Sequence, residues 1–214
     1  MNADRLPLPL LPLGLDVDDV DFSRGDGLVP GVVQHALSGQ VLMVGFLDEP
    51  ALRSTLETGM ATFWSRSRQE QWVKGESSGN TLIVGAVEVD CDRDTLVLHC
   101  LPEGPTCHTG DQTCFGPDAL PGSFLHLLDE VVRRREVDRP TGSYTASLFE
   151  GGLRRAAQKV GEEGVETALA AVAQDEEALV GEAADLVFHL MVLLRSRGLG
   201  LADVERVLRD RHGP

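Results

Sequence analysis

Apolar positions change their period near the middle of this chain. Val32 to Leu37 and Gln40 to Leu47 are short β-like runs around Ser38-Gly39, which predicts a hairpin. Asp48 then reads as a helix N-cap, with Pro50 in the first turn and Gly59 just past the end. Thr62 to Ser65 resumes a strand, and Lys74 to Asn80 is a polar, glycine-bearing loop. Thr81 to Cys91 and Thr95 to Cys100 form a second apolar pair, with an aspartate-rich turn between them.

Gly116 to Gly122 is a linker by composition. Beyond it Phe124, Leu125, Leu128, Val131 and Val132 recur at helical spacing. Leu153 to Val172, Glu176 to Arg197 and Leu201 to Arg211 do the same, so the second half predicts four helices in a bundle. The fold class expected is α+β in two domains. An N-terminal arm covers residues 1–22, a mostly-β domain 23–116, a linker 117–122 and an all-α domain 123–214.

With aromatics at 5% of 214 residues, Leu, Val and Ala must carry the cores. The net charge of −15 is spread over both halves: 17 acids against 7 bases in residues 1–116, and 17 against 12 beyond. Such a surface repels nucleic-acid backbone and anionic lipid, so neither is expected as a partner. No run is long and apolar enough to span a bilayer. Leu6 to Leu15 is apolar but holds Pro7, Pro9 and Pro12, which reads as a polyproline-like or disordered arm and not as a signal peptide. Cys91 lies among aspartates and Cys107 adjoins His108, which points to a cytoplasmic metal site more than to a disulfide framework.

Asp90, Asp92 and Asp94 would share one face of an extended backbone and Cys91 the other. Three carboxylates suit Mg²⁺ or Ca²⁺. An EF-hand is excluded, because Thr95 stands at the glycine position of such a loop and Leu101 at its closing glutamate. Cys91, Cys107 and Cys114 have no C-x2-C pair, so a zinc ribbon is excluded as well. Three thiolates leave one tetrahedral position open, as in a catalytic zinc. A thiolate-rich zinc acidifies water weakly, so a helper base is expected, and His108 is the candidate. Cys100 reads as a buried apolar residue.

The motifs Trp64-Ser65-Arg66-Ser67-Arg68, Trp72-x-Lys74-Gly75-Glu76-Ser77-Ser78-Gly79-Asn80, Asp90-Cys91-Asp92-x-Asp94, Gly104-Pro105-Thr106-Cys107-His108-Thr109-Gly110 and Cys114-Phe115 appear in order. Residues 28–116 thereby resemble phosphoribosyl-AMP cyclohydrolase of histidine biosynthesis. The resemblance implies zinc on Cys91, Cys107 and Cys114, contributed by both chains of a homodimer, and Mg²⁺ on Asp90, Asp92 and Asp94. Zinc-bound hydroxide would attack C6 of the adenine, and the C6–N1 bond would break. Arg66, Arg68, Lys74, Ser77, Ser78, Gly79 and Asn80 would hold phosphates and ribose, with Lys74 and His108 in the catalytic set.

In the second half, Glu162, Glu163 and Glu166 lie on one helical face, and Glu182 and Asp185 repeat the spacing on the next helix. An antiparallel pair could gather all five carboxylates, a crowding that a cation would relieve. A solvated acidic face is the usual reading of such a lone pattern; with only Lys159 well placed to compensate it is weakened here, but it survives on periodicity alone. Arg139-Pro140-x-Gly142-Ser143-Tyr144-Thr145, Lys159-Val160-Gly161-Glu162-Glu163-x-x-Glu166 and Glu182-Ala183-Ala184-Asp185-Leu186-x-x-His189-Leu190 are similar to phosphoribosyl-ATP pyrophosphohydrolase, a relative of MazG-type hydrolases. That resemblance, over residues 123–212, implies that the five carboxylates bind Mg²⁺ and that Glu163 is catalytic. Arg139, Tyr144 and Lys159 would contact substrate. Gly164, where that family more often has Ala, and Phe188, in place of a common Tyr, are departures. The expectation is a bifunctional hydrolase acting on small phosphoribosyl nucleotides. The rivals are one active domain beside a dimerisation module, a general nucleoside triphosphate pyrophosphohydrolase, and a non-catalytic metal-binding protein.

Overall fold

The computed structural model describes residues 15–120 and 122–213. Two compact units divide between Phe124 and Leu125. The arm expected over the N-terminus lies outside the described residues up to position 14. Its last part does not behave as an arm. Val17 and Val20 are buried in the core of the first unit, around a 3₁₀ turn at Val17–Asp19 that Asp16 caps.

The hairpin forms as β1 (Val29–His35) and β2 (Val41–Leu47). Helix α1 (Glu49–Thr58) starts at Asp48, whose carboxylate accepts the Ala51 N–H at 2.8 Å. It ends at Gly59, whose φ of 70° is the left-handed conformation that closes a helix. Strand β3 (Thr62–Ser65) pairs with β4 (Glu70–Val73), a strand the apolar pattern does not announce. Glu70 and Gln71 are both polar and Trp72 and Val73 both apolar, so the segment does not alternate. Strands β5 (Leu82–Val89) and β6 (Leu96–Pro102) follow.

The sheet order is β4-β3-β2-β1-β6-β5, with β1 and β6 parallel and the other pairs antiparallel. The sheet curls far enough for its outer strand to meet the entry to β3. Met60 bridges Ile83, and Val84 N–H donates to the Gly59 carbonyl at 2.8 Å. Phe63, Leu42, Leu47, Leu82, Leu96 and Leu98 fill the inside and are fully buried. Aliphatic residues thus carry this core, as the composition requires.

Among the described residues the second unit contains five helices where four were expected: α2 (Phe124–Asp138), α3 (Tyr144–Glu150), α4 (Gly152–Ala173), α5 (Glu176–Arg195) and α6 (Leu201–His212). The extra element is α3. It is only seven residues long, too short to show a period, but Ser143 caps it through the Ala146 N–H at 3.3 Å. Helices α4 and α5 pack along one another across the short Gln174-Asp175 link. Val132, Leu148, Phe149, Ala156, Met191 and Val192 form this unit's core. Among the described residues no helix is long and apolar enough to cross a membrane.

Candidate metal centres and substrate pocket

In the first unit Asp90, Asp92 and Asp94 bring carboxylate oxygens within 4.8 Å of one another. The cause is not the pleat, because the segment is a turn and not an extended strand. Arg93 takes a left-handed φ of 69°, and the Asp90 carboxylate accepts the N–H groups of Asp94 at 3.0 Å and Thr95 at 3.1 Å. Folding the turn around Asp90 points the other two carboxylates at the same space. A hard cation could sit there. An internal cation already stands beside it: Arg24 reaches Asp92 at 2.7 Å and Asp94 at 3.4 Å.

Cys107 and Cys114 face each other on the loop after β6. That loop is pinned to β2, since Cys114 N–H donates to the Leu42 carbonyl at 2.8 Å and the Thr113 hydroxyl to Val41 at 2.9 Å. Hydrogen bonds from Thr109 lower the Cys107 pKa, whereas burial and the neighbouring Cys107 raise that of Cys114. A negative pair in this position would gain from a cation. The exposed ring of His108 lies against Cys107, with Nδ1 3.8 Å from its sulfur. The Thr106 hydroxyl is buried without a partner. Cys91 is exposed on the aspartate turn and, among the described residues, joins no convergent group of three ligands. Within one chain the three thiols are therefore split into a pair and a single.

Lys74 is buried beside the thiol pair, and burial lowers its pKa against the pull of Cys114 and Cys107. Its ammonium donates to the Asn80 carbonyl at 3.1 Å. Ser77, Ser78 and Gly79 form the exposed turn leading to Asn80. Arg66 and Arg68 lie elsewhere in the unit, on a pocket of about 430 Å³ walled by β2, β3 and β4. Phe46, Trp64 and Trp72 line it, and the Arg66 guanidinium sits 3.9 Å above the Phe46 ring. Neither Lys74 nor the thiols line this pocket.

In the second unit Glu163, Glu166 and Glu182 converge within 4.8 Å. Three of the five expected carboxylates therefore lie together. Glu162 turns to Lys159 at 3.0 Å and to Gln158 at 2.6 Å, and Asp185 is exposed outside the trio. Helical spacing explains the division, because residues 162 and 163 point about 100° apart around a helix of 3.6 residues per turn. Lys159 reaches Glu163 at 2.5 Å and holds its pKa down. Burial and the charges of Glu163 and Glu182 raise the pKa of Glu166, the signature of carboxylates crowded without a counter-ion. Three oxygens in such a state fit a divalent cation.

Arg139 leaves α2 with a left-handed φ of 43° and lies over the Phe149 ring at 5.2 Å. Tyr144 opens α3, and its hydroxyl is 3.0 Å from His189 Nε2. His189, buried and 3.8 Å from Glu163, is a residue the sequence reading quoted but assigned no role. Its one signal was its position four residues after Asp185 and seven after Glu182, on the same face of the helix.

A mostly-β unit with paired thiols and an acidic turn is joined to an all-helical unit in which three carboxylates converge, an arrangement suited to metal-assisted hydrolysis in two parts. The model of the phosphoribosyl-AMP cyclohydrolase family matches residues 43–116, and that of phosphoribosyl-ATP pyrophosphohydrolase matches 125–212. The histidine biosynthesis bifunctional protein HisIE of Xanthomonas axonopodis pv. citri is 56% identical over 193 residues, 90% of this chain and 93% of that protein. The HisIE proteins of Escherichia coli K12 and Vibrio cholerae are 50% and 49% identical, over 91% and 95% of this chain and 96% and 99% of their own lengths. The chain belongs to the HisIE family of bifunctional histidine-biosynthesis enzymes. Its activities are those of a phosphoribosyl-AMP cyclohydrolase and a phosphoribosyl-ATP pyrophosphohydrolase, and its substrates are small phosphoribosyl nucleotides.

Proposed function

We propose that the helical unit first cleaves phosphoribosyl-ATP to phosphoribosyl-AMP and pyrophosphate, and that the β unit then opens the adenine ring. The convergence of one trio of carboxylates in each unit carries this reading. In the helical unit Glu163, Glu166 and Glu182 would hold Mg²⁺, with Glu162 and Asp185 as outer members of the set. Magnesium held there would supply charge neutralisation for the attack of water that splits the α–β phosphate anhydride. Lys159 keeps Glu163 ionised, so this carboxylate is ready as a ligand or as the base for that water. Arg139 and Tyr144 would contact the substrate.

In the β unit Cys107 and Cys114 of one chain and Cys91 of a second copy would hold zinc, which makes the working form a homodimer. The split of the thiols within one chain supports that arrangement. The chemistry such a zinc supplies is acidification of a water, and an acidified water is the nucleophile that opening at C6 requires. His108, beside Cys107, is placed to take the proton of that water. Lys74, pushed toward its neutral form by burial, is placed to hold or pass a proton as the C6–N1 bond breaks. Arg66 and Arg68 would bind phosphate at the aromatic pocket, and Ser77, Ser78, Gly79 and Asn80 the rest of the phosphoribosyl group. Asp90, Asp92 and Asp94 would take Mg²⁺. Thiols that must stay reduced fit a cytoplasmic enzyme.

The test is a paired assay on the purified protein with Zn²⁺ and Mg²⁺. Phosphoribosyl-ATP should release pyrophosphate, and the adenine absorbance should then change as the ring opens. Pyrophosphate release with an intact ring would refute the second half of the scheme.

A further inference from the structure

Asn80 lies half-buried where the loop that carries Lys74 meets the loop that carries Cys107. Both of its main-chain groups are engaged. The N–H donates to the Ser78 hydroxyl at 3.2 Å, and the carbonyl accepts the Lys74 ammonium at 3.1 Å. Among the described residues that carbonyl is the one hydrogen-bond acceptor of the ammonium, so the place of Asn80 sets the place of the charge.

The Asn80 side chain has no comparable anchor. Among the described residues its carboxamide makes no hydrogen bond, and it occupies the space that a side chain on Gly104 would need. A Cβ on Gly104 would overlap the carboxamide oxygen and stand 3.0 Å from Asn80 Cγ and 3.5 Å from Asn80 Cβ, its three nearest atoms. The backbone of Gly104 does not itself require glycine. Its φ is not positive, and the extended conformation favoured before Pro105 is open to alanine. The neighbouring residues hold the two loops together: Glu103 N–H donates to the Thr81 carbonyl at 3.0 Å, and the Thr81 hydroxyl donates to the Glu103 carboxylate.

We propose that Gly104 is a positioning residue for ring opening, its bare Cα the seat that holds Asn80 and, through the Asn80 carbonyl, the Lys74 ammonium beside the thiol pair. A side chain held by shape alone moves when the shape changes. Displacing a catalytic group by about 1 Å is enough to slow a reaction tenfold or more. The obstacle to a Cβ is the end of a short side chain, so it can yield without unfolding the unit. This inference rests on the reading that Lys74 belongs to the catalytic set.

The experiment uses the full-length protein loaded with Zn²⁺ and Mg²⁺, with ring opening assayed on phosphoribosyl-AMP. Gly104→Ala should lower kcat for ring opening roughly tenfold and leave KM nearly as it was. Zinc content and pyrophosphate release should match the parent. So should the fluorescence of Trp64 and Trp72, the chain's two tryptophans, which both lie in the β unit and report its folding. Asn80→Ala empties the seat and should lower kcat by a similar factor. Gly104→Ala combined with Asn80→Ala should be no slower than Asn80→Ala alone, because the added methyl then meets no carboxamide. Losses that multiply in the double variant would place the role of Gly104 elsewhere and overturn the proposal. So would an unaltered kcat in Gly104→Ala, a rise in KM alone, a loss of zinc, or a changed tryptophan spectrum. Failure of the underlying reading is distinguishable, since Lys74→Met would then still open the ring at the parent's rate.

Discussion

The guanidinium of Arg24 lies 2.7 Å from the carboxylate of Asp92, although 68 positions separate the two in the chain. Arg24 lies in a short 3₁₀ turn (Phe22–Gly25), and Arg93 ties down the turn before it by donating to the carbonyls of Asp18 and Asp19. A divalent cation at the three aspartates would compete with Arg24 for the same oxygens. Arg24→Gln should therefore tighten Mg²⁺ or Mn²⁺ binding to the β unit by roughly two- to fivefold, the modest ratio an exposed ion pair sustains. Titration calorimetry on the two proteins decides it, with Asp92→Asn as the control that should lose binding.

Because Cys91 stands apart from Cys107 and Cys114, zinc retention tests whether chains cooperate. Cys91→Ser and Cys107→Ser should each lose zinc and ring opening when purified alone. Mixing and re-associating the two variants should regain part of both, since one hybrid site then has all three thiols. Metal analysis and the ring-opening assay read the outcome. Failure to regain would place all three ligands in one chain, which the geometry of the isolated subunit opposes.

The two activities should separate cleanly. Cys107→Ser should abolish ring opening and leave pyrophosphate release intact. Glu163→Gln should do the reverse when ring opening is assayed on phosphoribosyl-AMP itself. Loss of both activities in either variant would contradict independent sites.

Legibility in the sequence followed how local the physics is. Helix α1 was readable to the residue, because Asp48 and Gly59 act within one turn of their own positions. The fold class followed from the change of period. Strand β4 was missed because it earns its place by pairing with β3 and not by its own apolar pattern. The aspartates were grouped correctly but through the wrong geometry, since the left-handed φ at Arg93 depends on the anchoring of its side chain to Asp18 and Asp19. Of the five helical carboxylates only Glu163, Glu166 and Glu182 converge, because neighbouring positions 162 and 163 point about 100° apart and the spacing alone does not say which of them turns inward. His189 was passed over because its hydroxyl partner, Tyr144, lies 45 residues away.

Glu130 should make the helical unit acid-sensitive. It is buried on α2, and burial alone would raise its pKa, but hydrogen bonds from Arg133 at 2.6 Å and Arg134 at 2.8 Å outweigh that and hold it below 4.5. A carboxylate whose folded pKa is depressed binds fewer protons folded than unfolded. Its stabilisation is thus complete above about pH 4.5 and is lost as pH falls through the lowered folded value. Glu130→Gln should cost about 1 kcal/mol at neutral pH, less than a fully buried pair because Arg134 is largely exposed. Urea unfolding followed by helical circular dichroism should show the variant and the parent converging below that window.

Two glycines should respond in opposite senses to alanine. Gly164 lies inside α4 between the carboxylates of the helical site, and a Cβ there would meet only Leu186 Cδ1 at 3.9 Å, an ordinary contact. Nothing in the packing requires glycine, so Gly164→Ala should stabilise the unit by about 1 kcal/mol through helix propensity alone. Gly75 has a φ of 88°, and a Cβ there would lie 2.4 Å from the backbone of Asn80. The strain cannot be relieved by turning a side chain, because the obstacle is main chain. Gly75→Ala should therefore cost roughly 2–3 kcal/mol and displace the carbonyl that receives the Lys74 ammonium. Ring opening should fall with it while pyrophosphate release holds. Thermal unfolding of each variant, with both activities measured below the transition, separates a loss at the site from a loss of the fold.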